Sequence, residues 1–378
     1  MRRALIAVVT VVLALSATGC RFSKVKSDAT VTVSGRALNP TGAPLANTTV
    51  RLFKQADLGE AIVGIVLTVG TLGSVCLLPD SLPVCRQAKV ATTDAQGNYR
   101  FVLKGSDTQG TIGTEATLNV VVADPKNGAN GPSTTLSFTA RSETVALPDA
   151  RLWNATPRAT SNRARIGMSW SALPAAAGGS PSYSAQLFDA ARQAPMWTQS
   201  ASARGGEIDA RVLEDVRGVA AAAAQTKPGG ASGAGTVRAS FLSSRVTVAP
   251  TAGAPPSRHR ACSAVAGTAL KAVQQASCGA TDGNLTTPSS LRSNTADVVT
   301  GVVIDLGRSR PVFFVVARGV AGMVIAEVSR DGRTYTTVGT GSGSTDAFAV
   351  PGSQTARYVR VRAPGGLDES LLSEVSVW

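Results

Sequence analysis

The chain has 378 residues, room for two or three domains, and 43% of them are hydrophobic, enough for real cores. Aromatic residues make up only 4%, so the cores must be built mainly from Val, Leu, Ala and Ile, and few rings remain for stacking on sugars or bases. The net charge of +13 favours anionic partners, but the arginines are scattered and not interleaved with aromatics, which argues against nucleic-acid binding. The single histidine, His259, cannot build a multi-histidine zinc site, and its place between arginines in a stretch read as a linker argues against a Ser-His-Asp relay.

The chain opens on Arg2 and Arg3, continues through a charge-free apolar run from Ala4 to Ala17, and reaches Cys20 after the small residues Thr18 and Gly19. That is the layout of a secretory signal. The run is too short for a comfortable bilayer crossing, which takes about 20 residues. Ala17-Thr18-Gly19-Cys20 resembles the bacterial lipobox, although Leu15 lies two positions upstream of the family's usual leucine. The resemblance implies removal of residues 1–19, acylation of the Cys20 thiol and a lipidated tether over 20–28. The protein is then expected in the cell envelope, facing outside the cytoplasm. Arg21 stands where an aspartate often signals inner-membrane retention, which favours an outer membrane where the cell has one. The alternatives are a soluble secreted protein and an uncleaved signal anchor. The cysteine count agrees with export. With Cys20 spent on lipid, Cys76 with Cys85 and Cys262 with Cys278 remain as two local pairs, as an oxidising compartment allows. The other reading is four unpaired buried thiols acting as small apolar side chains.

From Ala29 the sequence alternates in period two, as half-buried strands do: Val31 and Val33, Val50 and Leu52, Tyr99, Phe101 and Leu103, then Leu118, Val120 and Val122. Turn signals lie between them at Asn39-Pro40-Thr41-Gly42 and Asp94-Ala95-Gln96-Gly97-Asn98. Val33-Ser34-Gly35-Arg36, Gly42-Ala43-Pro44-Leu45 with Val50-Arg51-Leu52, and Thr92 to Phe101 are similar to the carboxypeptidase regulatory-like domain. That resemblance implies a small non-catalytic sandwich, placed here at 29–148 with an insertion at 60–88. Within the insertion, Ala61 to Pro79 is uncharged and carries Ile62, Ile65, Val66, Val69 and Leu72 at helical spacing. It is just long enough to span a membrane, but Gly64, Gly70 and Gly73 weaken a helix by about 1 kcal/mol each. A span would also split one sandwich across the bilayer. The preferred reading is an apolar element folded back on the sandwich or on the lipid surface.

Residues 149–250 again read as strands, with Ile166, Met168 and Trp170, Tyr183, Ala185 and Leu187, and Val237, Ala239 and Phe241. Trp170 followed by Tyr183-Ser184-Ala185-Gln186-Leu187 resembles fibronectin type III domains, which implies a second sandwich anchored by that tryptophan. Ala220 to Gly235, rich in Ala and Gly, is expected as a loop, and 251–260, with Pro255-Pro256, as a linker. The carboxylate pairs Glu207 with Asp209 and Glu214 with Asp215 read as solvated charges.

The last stretch, 261–378, carries Ala280-Thr281-Asp282-Gly283-Asn284-Leu285-Thr286-Thr287, Val303-Ile304-Asp305-Leu306-Gly307, Val328-Ser329-Arg330-Asp331-Gly332, Ala356 to Val361 and Ser373 to Val377. These five motifs, in this order, resemble a discoidin-type (coagulation-factor C-type) domain. The resemblance implies a galactose-binding-like jelly roll that binds glycans, lipid headgroups or protein surfaces. It also implies a structural calcium held by Asp282, Asn284, Thr287 and Glu374, oxygen donors suited to a hard ion. The competing reading is a plain turn in which Asp282 and Asn284 cap backbone groups and Glu374 lies at the surface. Val359 and Val361 alternate with Arg360 and Arg362, as in a strand buried on one face. Phe313 and Phe314 read as core, and the loops Ser289 to Thr295 and Gly339 to Asp346 as polar and ring-poor. Arg292, Arg318 and Arg333 are available for anionic groups.

The expectation is therefore an all-β protein: three tandem antiparallel β-sandwich domains after a lipoprotein signal peptide, non-catalytic and bound to the membrane through its lipid. Its role is surface binding or envelope scaffolding. Capture of polysaccharide as a carbohydrate-binding lipoprotein, and service as an accessory subunit of an envelope enzyme or secretion system, are the alternatives.

Overall fold

The computed structural model describes residues 23–55, 85–110, 114–127, 130–161, 165–174, 179–190, 195–214, 217–249, 253–266, 269–275, 278–285, 299–319, 323–341, 345–363 and 372–378. The lipobox with Cys20, the insertion from 56 to 84 with Cys76, and Thr287 with the loop around Arg292 lie outside these residues. No helix among the described residues is long and apolar enough to cross a membrane.

The protein is all-β. The first unit contributes β1 (Thr30–Leu38), β2 (Thr49–Gln55), β3 (Cys85–Thr92), β4 (Asn98–Lys104), β5 (Leu118–Ala123), β6 (Ser133–Phe138), β7 (Thr144–Ala146) and β8 (Ala150–Arg151). The middle unit contributes β9 (Arg158–Ser161), β10 (Arg165–Ser169), β11 (Ser182–Asp189), β12 (Pro195–Ala201), β13 (Gly205–Asp209), β14 (Gly218–Thr226), β15 (Arg238–Leu242) and β16 (Val246–Val248). The last unit contributes β17 (Cys262–Ala266), β18 (Ala269–Gln275), β19 (Val299–Arg318), β20 (Val324–Ser329), β21 (Thr336–Gly341), β22 (Thr345–Arg362) and β23 (Glu374–Val377).

The alternation seen in sequence becomes a two-faced sheet. In β4, Tyr99, Phe101 and Leu103 are buried while Arg100, Val102 and Lys104 are exposed, and β4 pairs antiparallel with β1 so that Val33 faces Phe101. The turn before it is closed by Asp94, whose Oδ1 accepts from the backbone N–H of Gln96 at 2.9 Å and of Asn98 at 2.8 Å. Gly97 in that turn has φ +79°, a left-handed conformation that glycine adopts without strain.

The first two units are joined through one sheet. Strand β6 of the first pairs antiparallel with β15 of the middle, Leu136 opposite Ala239, in a nine-stranded sheet ordered β12-β11-β14-β15-β6-β5-β2-β3 with β16 added on β14. Pairing the two satisfies edges that would otherwise expose backbone donors and acceptors. The smaller sheets β4-β1-β7 (with β8) and β13-β10-β9 complete the pair of sandwiches, and a single core runs from Val33 through Trp153 to Phe241.

Ala220 to Gly235 is not simply a loop: its first part belongs to β14, which lies between β11 on one side and β15 and β16 on the other. Ala220, Ala222 and Ala224 face the main core and Ala221 and Ala223 face Phe188 and Leu242, all buried. Alanine has little intrinsic strand preference, but ladders on both sides override it. The stretch expected as a linker also folds in. Ser257 is fully buried, its hydroxyl donates to Val375 O at 3.3 Å and accepts from Val377 N at 2.9 Å, and the backbone N–H of His259 donates to Thr281 O at 2.6 Å.

The last unit is a curled seven-stranded sheet, β18-β17-β19-β22-β20-β21 with β23 on β19. Its own core holds Val302, Ile304, Val315, Val359 and Val361. β19 and β22 pair along most of their length with register breaks at Asp305/Arg310 and Val312/Phe314, and these breaks bend both strands around the core. Phe313 is not core: it is 52% exposed, while Phe314 beside it is buried and packs toward the middle unit. Cys262, at the start of β17, is disulfide-bonded to Cys278 with Cα atoms 5.5 Å apart. Replacing both by Ser should lower unfolding stability by about 3 kcal/mol for their sequence separation of 16. Denaturant titration of wild type and variant checks this.

Candidate functional site

The described surface of the last unit carries a polar cleft of about 510 Å³ lined by Val328, Ser329, Arg330, Asp331, Thr334, Thr336, Ser353, Gln354 and Thr355. Two local structures build it. One is the connection between β20 and β21, where Val328-Ser329-Arg330-Asp331-Gly332 turns the chain. Asp331 Oδ1 accepts from the backbone N–H of Arg333 at 2.8 Å and of Thr334 at 2.9 Å, and from the Ser329 hydroxyl at 3.0 Å. These bonds hold the Asp331 carboxyl down to about 2. The other is a bulge in β22: Val312 pairs with Gln354 but Phe314 with Ala349, so extra residues loop out of the ladder. Gly352 (φ +67°) and Ser353 (φ +48°) take left-handed conformations there and bring Ser353, Gln354 and Thr355 to the cleft wall.

The walls are tied together. Arg330 Nε donates to Thr355 O at 3.1 Å while the residue stays exposed at the cleft. Behind it, Arg360 and Arg362 converge on Glu327, with Nε to Oε2 distances of 2.6 and 2.8 Å. Burial raises the Glu327 pKa, but the hydrogen bonds from Arg362 and Arg360 outweigh burial and hold it below the usual carboxylate range. The Arg360 guanidinium lies 4.0 Å or less from a ring, at 3.9 Å from the Tyr335 centroid, and burial pushes the Tyr335 hydroxyl up to about 12. The cleft is therefore lined mainly by hydroxyl, amide, carboxylate and guanidinium groups.

Of the residues singled out in sequence for calcium, the described ones, Asp282, Asn284 and Glu374, lie elsewhere, against the middle unit. Asp282 Oδ1 accepts from Asn284 N at 2.7 Å, the geometry of a turn, and Glu374 Oε2 accepts from Gly283 N at 3.2 Å. Glu374 is fully buried rather than superficial. Burial first, then the charges of Glu214 and Asp282, push it up to about 8 against the opposing influence of Gly283 N–H and Arg318. Glu214, expected as a solvated charge, is also fully buried: it accepts from Arg258 Nη2 at 2.6 Å and from the Ser376 hydroxyl, and lies 4.0 Å from Arg318 Nη2. Arg318, read in sequence as a surface cation, is 1% exposed and donates to Val212 O. Among the described residues no group of three or more His, Cys, Asp or Glu is arranged to hold a metal ion.

Sequence reading missed Ser353, Gln354 and Thr355. The one signal was Pro351-Gly352 inside an otherwise continuous strand pattern. It missed Glu214 and Arg258 because their partners are 44 to 162 residues away in sequence.

No protein-family model and no curated protein matches the chain. Solved structures do match. One is CpGH89CBM32-5 from Clostridium perfringens in complex with GalNAc-β-1,3-galactose, at 20% identity over 33% of this chain and 99% of that one, with a TM-score of 0.27. Another is the family 32 carbohydrate-binding module of C. perfringens NanJ in complex with galactose, at 18% identity over 33% of this chain and 96% of that one, with a TM-score of 0.26.

If the Asp331 bonds organise the cleft, its side-chain carboxyl should titrate near 2 by NMR. Its folded-state pKa is depressed from 3.8, so its contribution is fully present above that value and is lost as pH falls through about 2. The Arg333 and Thr334 amide resonances should move over that same window.

Proposed function

We propose that this is a non-catalytic binding protein of the cell envelope, tethered by lipid on Cys20, whose last unit captures carbohydrate in the cleft between the β20–β21 connection and the β22 bulge. The observation that carries the reading is the cleft lining. Arg330, Asp331 and Gln354 supply planar polar groups, and Ser329, Thr334, Thr336, Ser353 and Thr355 supply hydroxyls. A polyhydroxylated ligand exchanges its water contacts for such groups one for one. The backbone and ion-pair bonds behind them mean that little ordering is left for the ligand to drive. Rings are absent from the lining itself, so recognition rests on hydrogen bonds, and affinity per sugar is modest. Display of several copies on one membrane would compensate through avidity. The non-catalytic part of the proposal rests on His259, which stands between arginines in a turn against Thr281, far in sequence from the cleft residues.

Envelope scaffolding is the second reading. It is favoured by the direct joining of all three units, which suits a rigid spacer as well as a displayed receptor.

A glycan array probed with the mature chain should show dose-dependent binding, weakened roughly tenfold by Arg330→Ala or Gln354→Ala, the worth of one good hydrogen bond to a charged or planar group. Silence on the array with a co-purifying envelope protein would turn the reading to scaffolding. Intact mass of the mature chain checks the tether: acyl chains on Cys20 are expected, and an unmodified amino terminus at another residue would refute it.

A further inference from the structure

At the base of the last unit, the loop Asp282-Gly283-Asn284 and Glu374 meet a part of the molecule that belongs to the middle unit. The short 3₁₀ turn Ala210–Val212 is capped by Asp209, whose side chain accepts from Arg211 N, and it closes at Leu213, just before Glu214. Glu214 has φ +53°, a left-handed conformation that is uncommon for a side-chain-bearing residue. That turn points its carboxylate into the last unit, where the Arg258 Nη2 lies at 2.6 Å and the Ser376 hydroxyl donates to it. Arg258 in turn lies along the loop: a Cβ placed on Gly283 would meet its Nε at 2.9 Å. From the other side, Arg318 reaches out of β19 to donate to Val212 O and sits 4.0 Å from Glu214. The neighbouring Arg211 stacks 4.0 Å above the Phe314 ring.

We infer that two guanidiniums, Arg258 and Arg318, supply the positive charge that the resemblance assigns to a calcium ion at this loop, and that Glu214 of the middle unit locks them in place. The described donor set does not fit a hard cation. Calcium takes six to eight oxygens, whereas among the described residues Glu214 gives both oxygens to Arg258 and Ser376, and Asp282 and Glu374 each give one to a backbone N–H of the loop, which leaves at most one further oxygen on each, Glu374 Oε1 among them. The guanidinium is the better occupant of such a place, because its fixed fork serves several oxygens at once and it stays charged when buried. The consequence is structural and also functional. A metal would let the last unit close its own base and swing independently of the rest. A carboxylate lent by the middle unit closes the base only while the two are docked, so the cleft is held at one orientation relative to the body.

Two measurements on the full mature chain test this. Titration of the chelator-treated protein with calcium chloride by calorimetry should give no binding heat, and the melting temperature should be the same in calcium and in chelator. Saturable binding heat, or a melting temperature raised by calcium, would overturn the inference. That experiment needs no variant to fold. In the second, Glu214→Gln and Arg258→Gln should each reduce the folding equilibrium constant on the order of a hundredfold, since each breaks the buried ion pair. The double variant should lose no more than the worse single one. Additive losses would mean that the two side chains act separately, and the lock would be rejected.

Discussion

A carboxylate taken out of water must be met by donors, or it is held as the neutral acid, and Glu214 is the residue of this chain on which that rule bears most heavily. It is fully buried, it comes from the middle unit, and its partners Arg258 and Ser376 come from the last. The surrounding charges follow from it. Burial lowers the pKa of Arg318 at the base of β19, and the charge of Glu214 is the main influence that opposes it. Burial first, and then the charge of Glu214, push the Glu374 carboxyl up to about 8. The same docking lets Phe314 and Val316 of β19 and Leu285 join the core that the first two units share.

The geometry of the cleft depends on this arrangement at one remove. β19 is anchored at its far end by Arg318, and β22 pairs with β19 on both sides of the bulge that carries Gly352 and Ser353. β22 in turn pairs with β20, which leads into the Arg330 and Asp331 turn. A chain of ladders thus runs from the buried junction to the polar surface. In the first two units the nine-stranded sheet plays the corresponding part, since β6 and β15 turn two small sandwiches into one body.

Much of the architecture was legible in the sequence because period-two alternation survives wherever one face of a strand is buried and the other wet. Val31 with Val33, Tyr99 with Phe101, and Val359 with Val361 all lie where that rule puts them. It fails where both faces are buried, and the alanines of β14 looked like a loop for that reason. Phe313 and Phe314 show the converse error: two adjacent rings on a strand must point to opposite faces, and only Phe314 is covered. The candidate site was half legible. Ser329-Arg330-Asp331-Gly332 announces its turn, but Ser353 and Gln354 enter the cleft only through a register break between β19 and β22, which no local pattern records. Glu214 was read as solvated because its burial is decided wholly by partners distant in sequence.

The cleft of the last unit is the recognition surface proposed above. Amide chemical-shift mapping of the isotope-labelled mature chain, titrated with purified cell-envelope polysaccharide, addresses it most directly. The account predicts saturable shifts concentrated at Ser329 to Thr336 and Gly352 to Thr355, with the amides around Glu214 and Gly283 unmoved. Shifts centred on another surface, or none at saturating polysaccharide, would contradict it.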